Sequence, residues 1–220
     1  MIQIKTAKMY NMDCMDFMAD IPDNYYSLAL VDPPYGIDVS ASGKVGGRKL
    51  AKVKDYGAKE WDKQPPNEEY FSQLRRVSRN QIVWGANHFI SRLPFDSSCW
   101  LVWDKDNSGN FADCELAWTS FDTAVRKFMW RWNGMLQQNM KDKEIRIHPT
   151  QKPIALYDWI YHNYLPQGGK VIDTHAGSQS NTIAALKAAN IEIDAIELDK
   201  EYYDKSVQRV KDFAAQLTMF

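Results

Sequence analysis

Nowhere in its 220 residues does the sequence run through the roughly 20 apolar residues that a bilayer-spanning helix needs. Its opening, MIQIKTAKMYNMDC, lacks the apolar core of a signal peptide, so the expected location is cytoplasmic. Cysteine is scarce. Cys14, Cys99 and Cys114 are odd in number and form no CxxC pair, which excludes a disulfide framework and leaves three reduced, partly buried thiols as the expectation. Histidine is scarce too: His88, His148, His162 and His175 stand in unrelated contexts without metal-ligand spacing, so no metal is expected. There are no internal repeats and no low-complexity tracts. A net charge of −1 gives no global attraction for a polyanion.

What is present is the composition of an ordinary globular chain, 45% hydrophobic and 25% charged, long enough for one domain with a proper core. IQIKTAKMY alternates like a short strand, DCMDFMADI has helical spacing, and YYSLALVD is an apolar strand ending at Asp32. NEEYFSQLRRVSR and NQIVWGA read as helix then strand. SSCWLVWDK, CELAWTSF and TAVRKFMWRW read as further strands. PIALYDWIYHNYL, SNTIAALKAAN and KEYYDKSVQRVKDFAAQL have helical patterns, alternating with the strands KVIDTHAG and IEIDAIELD. Strands alternating with helices imply a doubly wound, mostly parallel α/β sheet. Between about residues 37 and 66 no periodicity is sustained. From residue 42 to 63 that loop carries seven basic residues against three acidic ones, an excess of four hidden by the global balance.

In such sheets ligands sit at the carboxyl ends of the strands, and three motifs fall there. DTHAGSQS follows the strand KVI and opens a helix; its small residues let a ligand approach the backbone. It has neither a P-loop's Gly-Lys-Ser/Thr nor the full dinucleotide-binding glycine spacing, so a nucleotide phosphate is not expected. Glu197 ends the next strand, where an acid suits two ribose hydroxyls. Asp32 with Pro33, Pro34 and Tyr35 forms the third motif, a carboxylate on a stiff platform.

DPPYG at 32–36, HPTQKP at 148–153 and VIDTHAGSQS at 171–180 together resemble the S-adenosylmethionine-dependent DNA amino-methyltransferases, the N6-adenine and N4-cytosine family. The motif order, catalytic first and cofactor last, resembles that of its circularly permuted beta class, and the likeness implies a Rossmann-like methyltransferase sheet with S-adenosylmethionine as cofactor. One departure lies in the cofactor turn, where Gln179 stands at a place commonly held by glycine. The resemblance implies that the Asp32 carboxylate and Pro33 carbonyl accept from an exocyclic amino group whose lone pair is otherwise delocalised, that Pro34 stiffens the platform, and that Tyr35 stacks on a base swung out of the duplex. It places Asp13 and Cys14 near the cofactor adenine, Glu197 on the ribose, Asp173, Gly177 and Ser178 around the methionine side, and Thr150, Gln151 and Lys152 at the methionine carboxylate. Taken singly, Asp13 with Cys14 would be a helix cap in most sequences, and HPTQKP is equally a proline-bounded helix entry.

The partners implied are DNA and, as an open alternative, a second copy of the chain; neither a membrane nor a metal is implied. Lys44, Arg48, Lys49, Lys52 and Lys54 of the basic loop are the candidate phosphate contacts, and residues 104–147 a small target-recognition region. N6 of adenine is the expected acceptor, because DPPY resembles the adenine enzymes more than SPPY does. N4 of cytosine, methylation of RNA or a protein amide, and an inactive module binding cofactor or DNA are the competing readings.

Overall fold

The computed structural model describes residues 1–38, 62–93, 95–107, 112–133 and 136–217, with the backbone of residues 44–45 and 54–55. The candidate phosphate contacts Arg48, Lys49 and Lys52 lie outside the described residues, as do the side chains of Lys44 and Lys54.

The chain opens with β1 (Ile2–Ile4) and β2 (Ala7–Tyr10), then α1 (Cys14–Ala19) and β3 (Tyr26–Val31). A short antiparallel pair, β4 (Lys44–Val45) with β5 (Lys54–Asp55), precedes α2 (Glu68–Val77) and β6 (Ser78–Trp84). Next come β7 (Trp100–Asp104), β8 (Cys114–Thr119), β9 (Arg126–Met129), β10 (Trp132–Asn133) and β11 (Leu136–Gln137). The last part runs α3 (Ile154–Tyr164), β12 (Gly169–Asp173), α4 (Ser180–Ala188), β13 (Ile191–Ile196) and α5 (Lys200–Leu217).

Nine strands form one sheet in the order β1-β2-β13-β12-β3-β6-β8-β7-β9. From β2 to β6 every neighbouring pair is parallel, and β8 runs antiparallel to both β6 and β7. The expected doubly wound α/β sheet is therefore present. Its parallel strands are near-continuous apolar runs, as YSLALV is in β3, because helices cover both faces. Leu28, Leu30, Ile82 and Trp84 pack towards α3, α4 and α5 through Leu156, Ile160, Ile183 and Val207. Ala29, Val31 and Val83 face the other way, onto Tyr70, Phe71 and Leu74 of α2 and Met18 of α1.

Two strands read as single runs are each broken. IQIKTAKMY is a hairpin, because Lys5 takes a left-handed φ of 50° and turns the chain so that Ile4 pairs with Ala7. TAVRKFMWRW leaves the sheet after Met129, where the Trp130 carbonyl accepts from the Trp103 indole. Trp132 then begins a separate ribbon with β11. The cysteines also differ from expectation: Cys99 is buried and Cys14 half-buried, but Cys114 is exposed.

Candidate active site

A cavity of about 390 Å³ opens at the carboxyl ends of β2, β3, β12 and β13, at the crossover point where strand order reverses. The sequence-derived site residues line it together: Asp13, Cys14, Asp32, Pro34, Thr150, Gln151, Lys152, Gly177, Ser178 and Glu197. Pro33, Tyr35 and Asp173 are not on its wall. Pro33 and Asp173 are buried.

Asp13 caps α1, its carboxylate accepting from Met15 N at 2.7 Å, so the helix-cap reading and a place on the cavity wall hold for one residue. Cys14 follows it; burial and then the Asp13 charge push its thiol up to about 12, which keeps it protonated and unreactive. At the end of β13 Glu197 accepts from Gly177 N and Asp199 N, each at 2.8 Å, one on each oxygen. A carboxylate oxygen has two lone pairs, so each oxygen of this cavity-lining residue keeps one further acceptor site.

Between β12 and α4 the backbone turns tightly. Gly177 has φ 46° and Gln179 φ 60°, so the position held here by glutamine is left-handed. Its buried carboxamide oxygen accepts from the Thr182 hydroxyl, a local bond that helps a side chain tolerate a conformation costing about 1–2 kcal/mol without one. Outside the turn, Arg209 of α5 donates to Ser178 O (2.7 Å) and Ser180 Oγ (3.0 Å) and pairs with Glu144 (2.9 Å). The Glu144 carboxylate in turn accepts from Ile154 N at the start of α3. The turn is thus clamped from a direction that no local motif announces.

Below it Asp173 accepts from His175 N and Asn181 Nδ2. Burial is the main reason that its carboxyl is raised to about 7, with the charges of Asp32 and Glu197 adding to it against those hydrogen bonds. His175, a cavity-lining residue, is held neutral by burial, its pKa lowered to about 4. His148 is likewise lowered to about 3 by burial and then by Lys152, and its ring meets Tyr202 edge-on at 4.3 Å.

The Asp32 platform is braced on every side. Asp62, buried at the far end of the basic loop, accepts from Tyr35 N (2.7 Å) and Gly36 N (3.0 Å), pinning the turn after the prolines. The Tyr35 hydroxyl donates to Asp32 Oδ1 at 2.6 Å, and its ring stacks on His88 at 5.0 Å and 15°. Lys152, with only 2% of its side chain exposed, lies 2.5 Å from Asp32 Oδ2 and 3.0 Å from Glu115 Oε2. Glu115 also receives Lys105. Burial raises the Asp32 carboxyl, Lys152 opposes this, and Glu115 adds to it. For Glu115 burial is outweighed by Lys152 and then Lys105, and its carboxyl is held down at about 2. Two carboxylates share one ammonium, and the one with a second lysine ionises first.

Of the residues expected at a cofactor carboxylate, Gln151 spends its carboxamide on Ile147 N and Ile145 O, and Lys152 spends its ammonium on Asp32, Glu115 and Tyr35. Thr150 shares its hydroxyl with His148 Nδ1 at 3.1 Å. Glu115, Lys105, Asp62, Arg209 and Glu144 are site residues that the sequence motifs do not reveal. Among the described residues no group of three or more His, Cys, Asp or Glu side chains is placed to hold a metal ion, and no helix is long and apolar enough to cross a membrane.

The DNA methylase family model for N6 and N4 enzymes matches residues 102–208, from β7 through the cofactor-side turn into α5. That stretch of the chain resembles this family. It is 23% identical to the type II methyltransferase M2.MboI of Moraxella bovis, over 94% of this chain and 91% of that protein. Among solved structures it shares the fold of M1.HpyAVI in complex with SAM, with a TM-score of 0.54, 18% identity, and coverage of 92% of this chain and 99% of that one. The cytosine-N4-specific PvuII DNA methyltransferase superposes with a TM-score of 0.59 at 13% identity, covering 96% of this chain and 92% of that one. The amino-methyltransferase resemblance of the three motifs thus agrees with relationships extending over most of the chain.

Proposed function

We propose that this protein transfers the methyl group of S-adenosylmethionine to the exocyclic N6 of adenine in a short DNA target. The observation that carries this reading is the convergence, on one cavity, of Asp32 with the turn at Gly177 and Ser178 and with Glu197. The residues present fit the cofactor. Glu197 keeps a lone pair on each oxygen for two vicinal hydroxyls, and the left-handed Gly177 brings backbone to the wall without a side chain. When bound, S-adenosylmethionine supplies an electrophilic methyl group on a sulfonium centre.

The chain's own work is to make a poor nucleophile adequate. Asp32 accepts a hydrogen bond from the target amine, drawing its lone pair out of conjugation and stabilising the positive charge that develops on nitrogen. Tyr35 and Lys152 fix the carboxylate at Oδ1 and Oδ2 and leave one lone pair on each oxygen for that amine. Asp62 and the two prolines hold the platform in place, so little ordering remains to be done when the base arrives. DNA phosphates are assigned to the basic loop at about 37–66, through Lys44, Arg48, Lys49, Lys52 and Lys54, and target reading to residues 104–147.

The test is incubation with labelled cofactor and unmethylated DNA followed by nucleoside analysis. N6-methyladenine is expected. N4-methylcytosine alone overturns the base assignment, and a protein that binds no S-adenosylmethionine is an inactive module.

A further inference from the structure

Lys152 belongs to the cofactor-side motif HPTQKP, yet its ammonium is fully engaged by the catalytic side. An ammonium has three donors and no acceptor. All three find oxygens: Asp32 Oδ2 at 2.5 Å, Glu115 Oε2 at 3.0 Å and Tyr35 Oη at 3.1 Å. Two of those partners come from the DPPY motif. The third does not: Glu115 lies on β8, where it pairs with Trp103 of β7, and its other oxygen takes Lys105.

The geometry gives Glu115 a definite task. A lysine facing Asp32 alone is free to swing across both carboxylate oxygens and occupy the lone pairs that an amine needs. With Glu115 on its other side, the ammonium is drawn to Oδ2, while Tyr35 occupies Oδ1. The charges balance as well. Asp32 and Glu115 match Lys152 and Lys105, and without Glu115 the Lys105 ammonium loses its carboxylate partner while Lys152 keeps only Asp32. Removing one partner from a buried pair leaves an uncompensated charge, which is far costlier than the pair is favourable.

We propose that Glu115 is a positioning residue for methyl transfer: it holds Lys152 on a single oxygen of Asp32 and so fixes the orientation and charge of the carboxylate that receives the target amine. This rests on the methyl-transfer reading of Asp32. A salt bridge that merely braced β8 would serve stability and leave the chemistry alone, so the deciding measurement is one of chemistry.

The groups facing Lys152 are Asp32 and Tyr35 after β3, Glu115 on β8 with Lys105 behind it, and His148 from the preceding loop, while Tyr157 on α3 acts on Tyr35. Burial disfavours the ammonium, while Asp32 and then Glu115 sustain it and carry its pKa above the ordinary lysine value. In Glu115→Gln one of those two supports is gone. Lys152 then loses its proton at lower pH than in the wild type, and the alkaline limb of the rate of transfer moves down with it.

The experiment compares wild type, Glu115→Gln and Glu115→Asp for kcat against pH, for S-adenosylmethionine affinity by calorimetry, and for the pH titration of the Lys152 ε-carbon by NMR in the free protein. We expect Glu115→Gln to lower kcat roughly 10- to 100-fold, the scale of a misplaced catalytic group, with cofactor affinity retained. Its alkaline limb and the Lys152 titration should shift down together, with Glu115→Asp intermediate in each. Should Glu115→Gln fail to fold, the same comparison of Glu115→Asp with wild type decides the matter. A wild-type protein that transfers methyl groups, beside variants with its kcat and its alkaline limb, overturns the role of Glu115 alone. A wild-type protein that transfers none overturns the methyl-transfer reading beneath it.

Discussion

The Tyr35 ring lies directly against the backbone of Gly85: a Cβ built at Gly85 would fall 1.9 Å from Tyr35 Cε1. Gly85 also has φ 70°, so two independent constraints exclude a side chain there. Gly85→Ala should therefore displace the ring whose hydroxyl holds Asp32, destabilising the fold by about 1–3 kcal/mol and lowering methyl transfer. Thermal unfolding with a transfer assay checks this; an unchanged melting temperature would mean that the ring does not rest where it is described.

Asp32→Ala should abolish most of the transfer while sparing the cofactor. The substitution leaves Lys152 paired with Glu115, so the buried ammonium is not stranded. Loss of a preorganised group aimed at developing charge costs about 100- to 1000-fold in kcat. Single-turnover transfer and calorimetry with S-adenosylmethionine separate the two effects, and a variant of full activity would remove Asp32 from the chemistry.

Glu197→Gln should weaken S-adenosylmethionine binding with little change in the fold. Each missing charge-assisted hydrogen bond to a ribose hydroxyl is worth about 1.5–3 kcal/mol, or roughly 10- to 150-fold in Kd. The amide can keep only one of the two backbone donors now accepted from Gly177 and Asp199, so a modest drop in melting temperature accompanies it. Equal affinities in calorimetry would take Glu197 out of the cofactor site.

His148 makes the free protein sensitive to acid. Its folded pKa, about 3, lies below the ordinary 6.5, so between these values the unfolded chain binds a proton that the folded chain refuses. Stability present above pH 6.5 is lost as the pH falls towards 3, by up to about 1.4 kcal/mol per pH unit for this one group. His175 acts in the same sense, whereas Asp173, with its carboxyl raised to about 7, acts in the opposite one. The difference between wild type and His148→Gln isolates the single histidine. Urea unfolding across pH 4–7 should show the variant's stability falling less steeply, and parallel curves would contradict the buried neutral state.

The basic loop should govern salt dependence. Replacing several of Lys44, Arg48, Lys49, Lys52 and Lys54 by neutral residues should flatten the log-log dependence of DNA affinity on salt by ~0.9 for every phosphate that is no longer neutralised. Binding titrations at several salt concentrations measure the slope, and an identical slope would put the DNA elsewhere.

The parts of the site legible in the sequence are those whose chemistry is local. Asp32, Gly177 and Glu197 each stand at the carboxyl end of an apolar strand, and strand ends in an α/β sheet converge whatever the loops do. Glu115, Asp62 and Arg209 are illegible for the opposite reason. Each acts on a partner in another segment, Lys152, the DPPY turn and the Ser178 carbonyl respectively, and nothing around them in the chain marks that partner. In the sequence Asp62 is only an acid diluting the basic loop, yet it is buried and pins the Tyr35 and Gly36 amides. The hairpin at Lys5 is hidden because alternation of side chains continues across a two-residue turn; only the backbone φ distinguishes the two cases.

The strand order also dictates when the molecule can take shape during synthesis. β2 and β3 are successive strands in the chain but are kept apart in the sheet by β13 and β12, so neither finds its parallel neighbour on that side until residues 169–196 have left the ribosome. The α2, β6, β7 and β8 segments can collapse earlier on the far side of β3, leaving one edge of β3 with its amides and carbonyls unsatisfied in the meantime. Closing contacts between such distant segments makes folding slow, and the waiting edge is a point of vulnerability to association with other nascent chains.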